Sequence, residues 1–345
     1  MKVEELDYEL PESRIAQSPL PRGEAKLLVV ADPMRDATFT DLEACLPKGA
    51  LLVLNNTKVL HARLIGRKVL SGGKVELFAT RVITPGHLQA LTRTSKRLAA
   101  GAEIEIEGEN KALRVRIGSV ERGVAEVFYD PNIDILGLFG KVPLPPYIRR
   151  EPIAADRTRY QTVFAEAEGA IAAPTAGLHF SEEHLAKLRA SHPIAEVTLH
   201  VGLGTFRPVE VPDLDDHVMH SEDLEVSAQA IQAIHAAKGE GRSVVAVGTT
   251  VVRALESAAL GVSLLPLRGA TNLLIQPGFE FRVVDHLVTN FHAPRSTLLA
   301  LVKAFAGSSV IDAAYAHAMK NEYRFLSYGD AMFLSKAEFL TKTTV

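Results

Sequence analysis

One cysteine, Cys45, stands in 345 residues. A lone thiol excludes an intrachain disulfide framework and any zinc site built on cysteines, and beside Leu46 it reads as a small buried hydrophobe. A reducing cytoplasm is the expected setting. Long apolar runs are missing too. None approaches the length of a membrane span, and the opening MKVEELDYEL is too acidic for a signal peptide. The phosphate loop GxxxxGK with Ser or Thr is absent, and so is the GxSxG elbow. Gly202-Leu203-Gly204 follows the strand-like VTLHV but leads through Thr205 and Arg207 to Pro208 and another extended stretch. With no helix after it, this is not a dinucleotide fingerprint. His217, His220 and Glu222 in HVMHSE fit no standard zinc spacing, so the segment reads as a metal-free polar loop.

What is present is the mixture of an ordinary globular protein, 47% hydrophobic and 23% charged, with a net charge of -3. The charge is unevenly spread. Residues 61–150 carry 15 Lys and Arg against 9 Asp and Glu, a balance of +6, and the remainder carries 23 against 32, a balance of -9. Such asymmetry is expected where one region meets an anionic partner, although a solvated basic face would look the same.

The pattern along the chain changes at the same places. Leu51 to Asn55 reads as a buried strand running into an Asn-Asn-Thr-Lys corner. From Arg63 to about Tyr129, period-two runs such as EIEIEG alternate with Gly-rich turns and predict several short antiparallel strands closing as a small barrel or sandwich. VPLPPYIRRE then forms a stiff extended connector. The predicted fold class is mixed α/β. A large discontinuous domain, residues 1–60 and 151–345, is interrupted by a β-barrel-like insertion, residues 61–150.

Three strand-to-helix corners share one style. In DHLVTNFHAPRSTLLALVKAFAG the apolar pair Leu287-Val288 gives way to Thr289, Asn290 and His292, and Arg295, Ser296 and Thr297 open a helix. EGAIAAPTAGLHFSEEHLAKLR runs through Thr175, Gly177 and His179 to a helix capped by Ser181. SVVAVGTTVVRALES ends a strand at Gly248, after which Thr249 and Thr250 start a helix that carries Arg253. Helix starts of this kind bind anions, and corners at the carboxyl edge of a sheet are where open α/β folds hold ligands. Further polar corners occur at His200, Gly202 and Thr205, and at His220 and Glu222. Each histidine alone reads as structural; converging on one cleft, they would supply donors and a proton acceptor. The residues by themselves lead to a metal-free transferase, lyase or isomerase with an anionic macromolecular partner.

LVLNNTKVLHARL, RYQTVFAEAEGAIAAPTAGLHFS, VTLHVGLGTFRPV, HVMHSE, VAVGTTVVRALES, DHLVTNFHAPRSTLLALVKAFAG and YRFLSYGDAMF, in this order, resemble the S-adenosylmethionine:tRNA ribosyltransferase-isomerases of queuosine biosynthesis. The likeness runs from LPESRIAQSP to the C-terminus, with Asn56 where Asp is the more usual residue and Lys26 where Arg is. The resemblance implies transfer and isomerisation of the ribosyl portion of S-adenosylmethionine onto an aminomethyl-7-deazaguanine at the tRNA wobble position, giving epoxyqueuosine, adenine and methionine. It implies no cofactor, because S-adenosylmethionine is consumed as substrate, and no metal. The expected partners are tRNA and S-adenosylmethionine, with no membrane, for a cytoplasmic monomer. The sulfonium acidifies the adjacent ribose methylene, so His179, His200, His292 or Asp285 could serve as the base. Gly248, Thr249, Thr250, Ser296, Thr297, Arg253 and Arg295 would suit the methionine carboxylate, and Glu222 or Asp285 the cationic sulfur. Thr175, Gly177, Thr205, His220 and Asn290 complete the expected substrate contacts. Arg93, Lys96, Arg97, Arg149 and Arg150 are expected to meet tRNA phosphates. A noncatalytic tRNA-binding protein and a metal hydrolase using His217, His220 and Glu222 are the competing readings.

Overall fold

The computed structural model describes residues 1–95, 97–202 and 208–340. The chain divides into two compact units, one of Met1–Lys58, Pro145–Glu151 and Thr158–Val345, the other of Val59–Leu144 and Pro152–Arg157. The larger unit therefore takes back the connector sooner than the sequence pattern predicts. Arg149 and Arg150 belong to it, and a short return segment, Pro152–Arg157, belongs with the insertion.

The larger unit is built on a nine-stranded sheet in the spatial order Leu267–Thr271, Glu222–Val226, Ile194–Leu199, Leu51–Asn55, Val244–Val247, His286–Asn290, Ala331–Ser335, Lys26–Val30, Arg35–Thr38. The four strands from Ile194–Leu199 to His286–Asn290 run parallel. Their near-continuous apolar runs follow from burial on both faces. Along Leu51–Asn55, Leu51 and Val53 enter one core while Leu52 and Leu54 enter the other. The first core is covered by the helices Ala228–Gly239, Thr249–Ala258, Thr297–Ala306 and Ser308–Lys320, the second by Glu182–Ser191 and Phe39.

The chain leaves Leu51–Asn55 to one side for Ile194–Leu199, then returns on its other side at Val244–Val247. This reversal of direction opens a crevice at the carboxyl ends of the parallel strands. Ala331–Ser335 runs antiparallel to His286–Asn290 and pairs Ala331 with Asn290, so the preceding loop reaches the same edge.

The smaller unit is a closed six-stranded barrel, ordered Val124–Phe128, His87–Thr94, Lys74–Thr84, Arg63–Lys68, Glu103–Glu107, Ala112–Glu121. Ile104 and Ile106 fill its interior with Leu64, Val75 and Val127, and the three glutamates of EIEIEG point outward, as the alternation requires. Closure leaves no sheet edge unpaired. Cys45 is half-buried rather than buried, with an Arg35 guanidinium donating to its sulfur at 3.0 Å.

Candidate active site

All three corners converge on one cleft of about 170 Å³, lined by Thr175, Gly248, Thr249, Thr250, Thr289, Asn290, His292 and Ser296. Ala172, Ala173, Phe291 and Val201 supply apolar wall. Each corner holds its shape for a different local reason. Gly248 has φ of 98°, a left-handed conformation that an L side chain adopts only with strain, and it lets the helix Thr249–Ala258 start abruptly at the strand end. Ser296 accepts from Leu299 N at 3.2 Å and donates to Ala293 O at 2.7 Å, so its hydroxyl is spent on the cap. Ser181 caps the helix Glu182–Ser191 through His184 N at 3.0 Å.

Asn55 ties the edge together. Its Oδ1 accepts from Leu199 N at 3.0 Å and Thr57 N at 3.2 Å, while Nδ2 donates to Leu199 O at 3.0 Å and Thr250 Oγ1 at 3.1 Å. The Thr250 hydroxyl is thereby oriented by a buried amide. Thr249, in contrast, has no hydrogen-bond partner for its hydroxyl among the described residues, and it lines the cleft.

His292 is held at three points. Its Nε2 lies 3.0 Å from Thr289 Oγ1, its backbone N–H donates to Tyr315 at 2.9 Å, and its carbonyl accepts from Tyr8 at 2.5 Å. Burial pushes its pKa down to about 3, so the ring is neutral at pH 7. Nδ1 has no partner among the described residues. His179 sits one layer deeper, its Nε2 3.3 Å from Asn290 Oδ1, and Asn290 Nδ2 donates to Leu326 O at 3.0 Å. Burial, helped by the charges of Arg159, Arg22 and Arg324, brings its pKa to about 4.

Other expected site residues lie elsewhere. Asp285 precedes the amino end of its strand, opposite the cleft edge, where it accepts from Val244 N at 2.8 Å and stands 3.7 Å from Lys238. It is a structural clamp and leaves the set of candidate bases. His200 does not line the cleft; it bonds Thr57 Oγ1 at 2.7 Å and lies against Gly169, where an added Cβ would come within 2.8 Å of the ring. Burial lowers its pKa. Gly177 is needed for close approach, since a Cβ there would meet Phe164 and Thr162 at 2.7 Å. Glu222 and Arg253 form a buried ion pair, with Glu222 also accepting from Gly202 N at 2.8 Å. That pairing commits Glu222, and His220 is exposed. Arg295 is exposed, has φ of 54° and faces Asp7 at 3.5 Å, and Thr297 lies in the first helical turn outside the lining. Thr205 and Lys96 lie outside the described residues. Among the described residues no group of three or more His, Cys, Asp and Glu is placed to hold a metal ion.

Asn56 accepts from Thr198 at 2.7 Å and donates to Glu196 at 3.4 Å. An aspartate there would face Glu196 as a like charge, which accounts physically for the amide in this chain. Two cleft residues carry no clear mark in the sequence. Tyr147, from the segment that reads as a connector, bonds Ser327 at 2.6 Å, and burial pushes its pKa up to about 12. Ser327 follows Leu326, whose φ of 68° turns the chain at the cleft rim. Their only signals are PPY before a basic pair, and LSYG after an aromatic.

Among the described residues no single helix is long and apolar enough to cross a membrane; the one pair that passes by composition, Thr297–Ala306 with Ser308–Lys320, is bent by 114°.

Residues 3–334 match the family described as queuosine biosynthesis protein. The S-adenosylmethionine:tRNA ribosyltransferase-isomerase of Halothermothrix orenii is 46% identical over 343 residues, which cover 97% of this chain and 100% of that protein. The protein of the same name from Nitrosomonas eutropha is 47% identical, with 97% and 98% covered. The crystal structure of the Thermotoga maritima S-adenosylmethionine tRNA ribosyltransferase superposes with a TM-score of 0.54 at 34% identity, covering 95% of this chain and 99% of that one. With nearly every described element inside the matched span, the chain belongs to the queuosine biosynthesis protein family.

Proposed function

We infer that this chain is an S-adenosylmethionine:tRNA ribosyltransferase-isomerase. It moves the ribosyl portion of S-adenosylmethionine onto the aminomethyl group of a 7-deazaguanine at the tRNA wobble position and releases adenine and methionine. The family assignment supports the reaction class. The observation that carries the site assignment is a neutral, buried histidine, His292, whose Nε2 is held by Thr289 and whose Nδ1 has no partner among the described residues. With Nε2–H donated to Thr289, Nδ1 carries the lone pair. It can take the proton from the ribose methylene beside the sulfonium, leaving the electron pair on carbon next to the positive sulfur. A base with so low a pKa is a weak one, and the sulfonium lowers the demand on it by stabilising the adjacent negative charge.

The start of the helix Thr249–Ala258, with the open Thr249 hydroxyl, suits the methionine carboxylate through its unpaired N–H groups. S-adenosylmethionine is a substrate in this reading, and no cofactor takes part. The working unit is taken as a monomer acting in the cytoplasm. Purified protein incubated with S-adenosylmethionine and tRNA carrying the aminomethyl-deazaguanine should release adenine, and release should continue in EDTA once tRNA folding is controlled. No adenine above the tRNA-free control would sink the reading, and loss in EDTA that zinc or magnesium restores would sink its metal-free form.

A further inference from the structure

Several arginines of the larger unit are matched with acids: Arg253 with Glu222, Arg149 with Glu12 at 2.8 Å, Arg242 with Glu240 at 2.7 Å. Arg35 and Arg282 have no carboxylate partner among the described residues but are exposed. Arg22, Arg159 and Arg324 are half-buried, and among the described residues none of them has a carboxylate within ion-pair distance. They gather instead on the carbonyls around a proline-rich ledge, Ser18-Pro19-Leu20-Pro21. Arg324 donates to Ser18 O and Arg159 to Leu20 O. Arg22 uses Nη1 on Leu178 O at 2.7 Å and Phe180 O at 3.3 Å, and Nη2 on Thr158 O at 3.0 Å and Gln161 O at 2.6 Å.

Carbonyl acceptors satisfy hydrogen bonds without cancelling a full charge. Arg22 therefore has its Nη donors engaged and its charge left over, whereas Arg159 and Arg324 keep donors in hand. Arg324 Nη1 is buried with no partner among the described residues. The nearest acid to Arg324, Asp330, directs its oxygens at the backbone N–H groups of Lys26, at 2.9 Å, and Arg324, at 2.7 Å. Burial and the neighbouring Arg159 charge hold Arg22 down to about 10, far below the usual guanidinium range. A protein that concentrates uncompensated charge in a half-dry place without an anion carries a cost in stability.

Arg22, Arg159 and the ledge line a small hollow closed by His179, Ser327 and Tyr328. Ser327 lines the main cleft as well, and His179 touches Asn290 of that cleft at 3.3 Å. The hollow and the cleft thus share Ser327 in their linings.

We propose that Arg159 and Arg22 in the hollow, with Arg324 on the same ledge at Ser18, form a phosphodiester site that seats one backbone phosphate of the tRNA beside the nucleotide whose base enters the cleft. Planar guanidinium forks match phosphate oxygens, and a phosphate held next door fixes the register of the strand without reading sequence. The proposal rests on the reading of the cleft given above and names where on this unit its nucleic-acid substrate is gripped.

The test uses the full chain with Arg159→Gln and Arg324→Gln, singly and together. Glutamine can still donate to Leu20 O or Ser18 O, so bracing of the ledge survives while the charge goes. The affinity for tRNA is measured across salt concentrations, alongside S-adenosylmethionine affinity and thermal midpoint. The double variant should bind tRNA several-fold more weakly, with a slope of log K against log salt shallower by roughly 0.7–0.9, as for one phosphate no longer held. Its S-adenosylmethionine affinity should be unchanged, KM for tRNA should rise more than kcat falls, and the Lys versions should restore most of the slope. A folded double variant with an unchanged slope overturns the proposal. So does a tenfold loss of S-adenosylmethionine affinity at unchanged slope, which would make the anion the methionine carboxylate. Failure of the reaction reading shows separately, as wild-type protein that releases no adenine whatever the salt slopes.

Discussion

The barrel and the sheet-based unit hold their unpaired arginines in different surroundings. The barrel region is net basic, with Arg63 beside Glu76 at 2.6 Å, Arg67 beside Glu107 at 2.9 Å and Arg114 beside Glu103 at 3.6 Å, while Arg81, Arg93, Arg97, Arg116 and Arg122 have no carboxylate partner among the described residues and are exposed. The larger unit is net acidic, yet Arg22, Arg159 and Arg324 have no carboxylate partner among the described residues and are half-buried. Regional net charge sets the far field that draws a polyanion in; local compensation decides which guanidinium has something left to bind with. The two properties need not fall in the same place: the barrel's unpaired guanidiniums are solvated, whereas those of Arg22, Arg159 and Arg324 are half-buried.

The comparison breaks first at chemistry. His292→Ala should reduce single-turnover adenine release on the order of a hundredfold or more, with the salt dependence of tRNA binding intact. Near-wild-type turnover in folded His292→Ala would remove it as base, with His179, one layer away, next to be tried. Thr249→Val keeps nearly the same volume and removes the hydroxyl that faces the cleft. It should weaken S-adenosylmethionine binding by about tenfold, as for the removal of a hydrogen bond to a charged group, while turnover at saturation is kept. Equal damage to tRNA binding in either variant would mean that the two functions are not separable by region.

Acid separates the units in a second way. His292 and His179 are held at about 3 and about 4 in the folded chain and return toward 6.5 on unfolding. Below pH 6.5 the unfolded chain therefore binds protons that the folded one refuses. Stability falls as pH drops through that window, by at most about 1.4 kcal/mol per pH unit for each group. Denaturant titrations at pH 7 and pH 5 should show the loss, and His292→Asn should reduce it. An equal loss in that variant would place the acid sensitivity elsewhere.

Neutralising Arg93, Lys96 and Arg97 tests the barrel. Arg93 and Arg97 are exposed. If the barrel tracks phosphates, the triple variant should flatten the salt slope by roughly 0.7–0.9 for each phosphate it no longer neutralises, and leave S-adenosylmethionine binding untouched. An unchanged slope would make the barrel's basic excess a solvated face and leave phosphate gripping to the larger unit.

The regular elements are legible in the sequence because each obeys a local rule. EIEIEG alternates because one barrel face is dry; VVAV and LLVLN do not alternate because both sheet faces are covered. The three corners are legible as helix starts, and their convergence follows from parallel strands sharing a carboxyl edge. Sequence alone does not reveal which polar residues point inward from those corners. Asp285 and His292 sit in one short segment, at opposite ends of the same strand, and only pairing with Val244 and Tyr315 tells clamp from candidate base. Tyr147 and Ser327 come from distant segments with no periodic signal, so their meeting is a product of tertiary structure alone. Regional charge points to the barrel and passes over Arg22, Arg159 and Arg324, because three residues far apart in an acidic region leave no mark on a sum.

Arg149 offers the finest test of the comparison. Its place in a basic pair predicts that it touches tRNA, and it lies on the same unit as Arg159 and Arg324. Its guanidinium is exposed and makes two bonds of 2.8 Å to Glu12. Exposed pairs add little to stability, so Arg149→Gln should leave the thermal midpoint almost where it was. If local compensation governs phosphate binding, the salt slope for tRNA should also move less than in Arg159→Gln. Glu12→Gln provides the converse, because freeing Arg149 from its partner should strengthen tRNA binding slightly at low salt and steepen the slope. A slope that flattens as much for Arg149→Gln as for Arg159→Gln would mean that an exposed carboxylate is no barrier to phosphate. Position relative to the cleft, rather than charge compensation, would then be what sets the two groups of arginines apart.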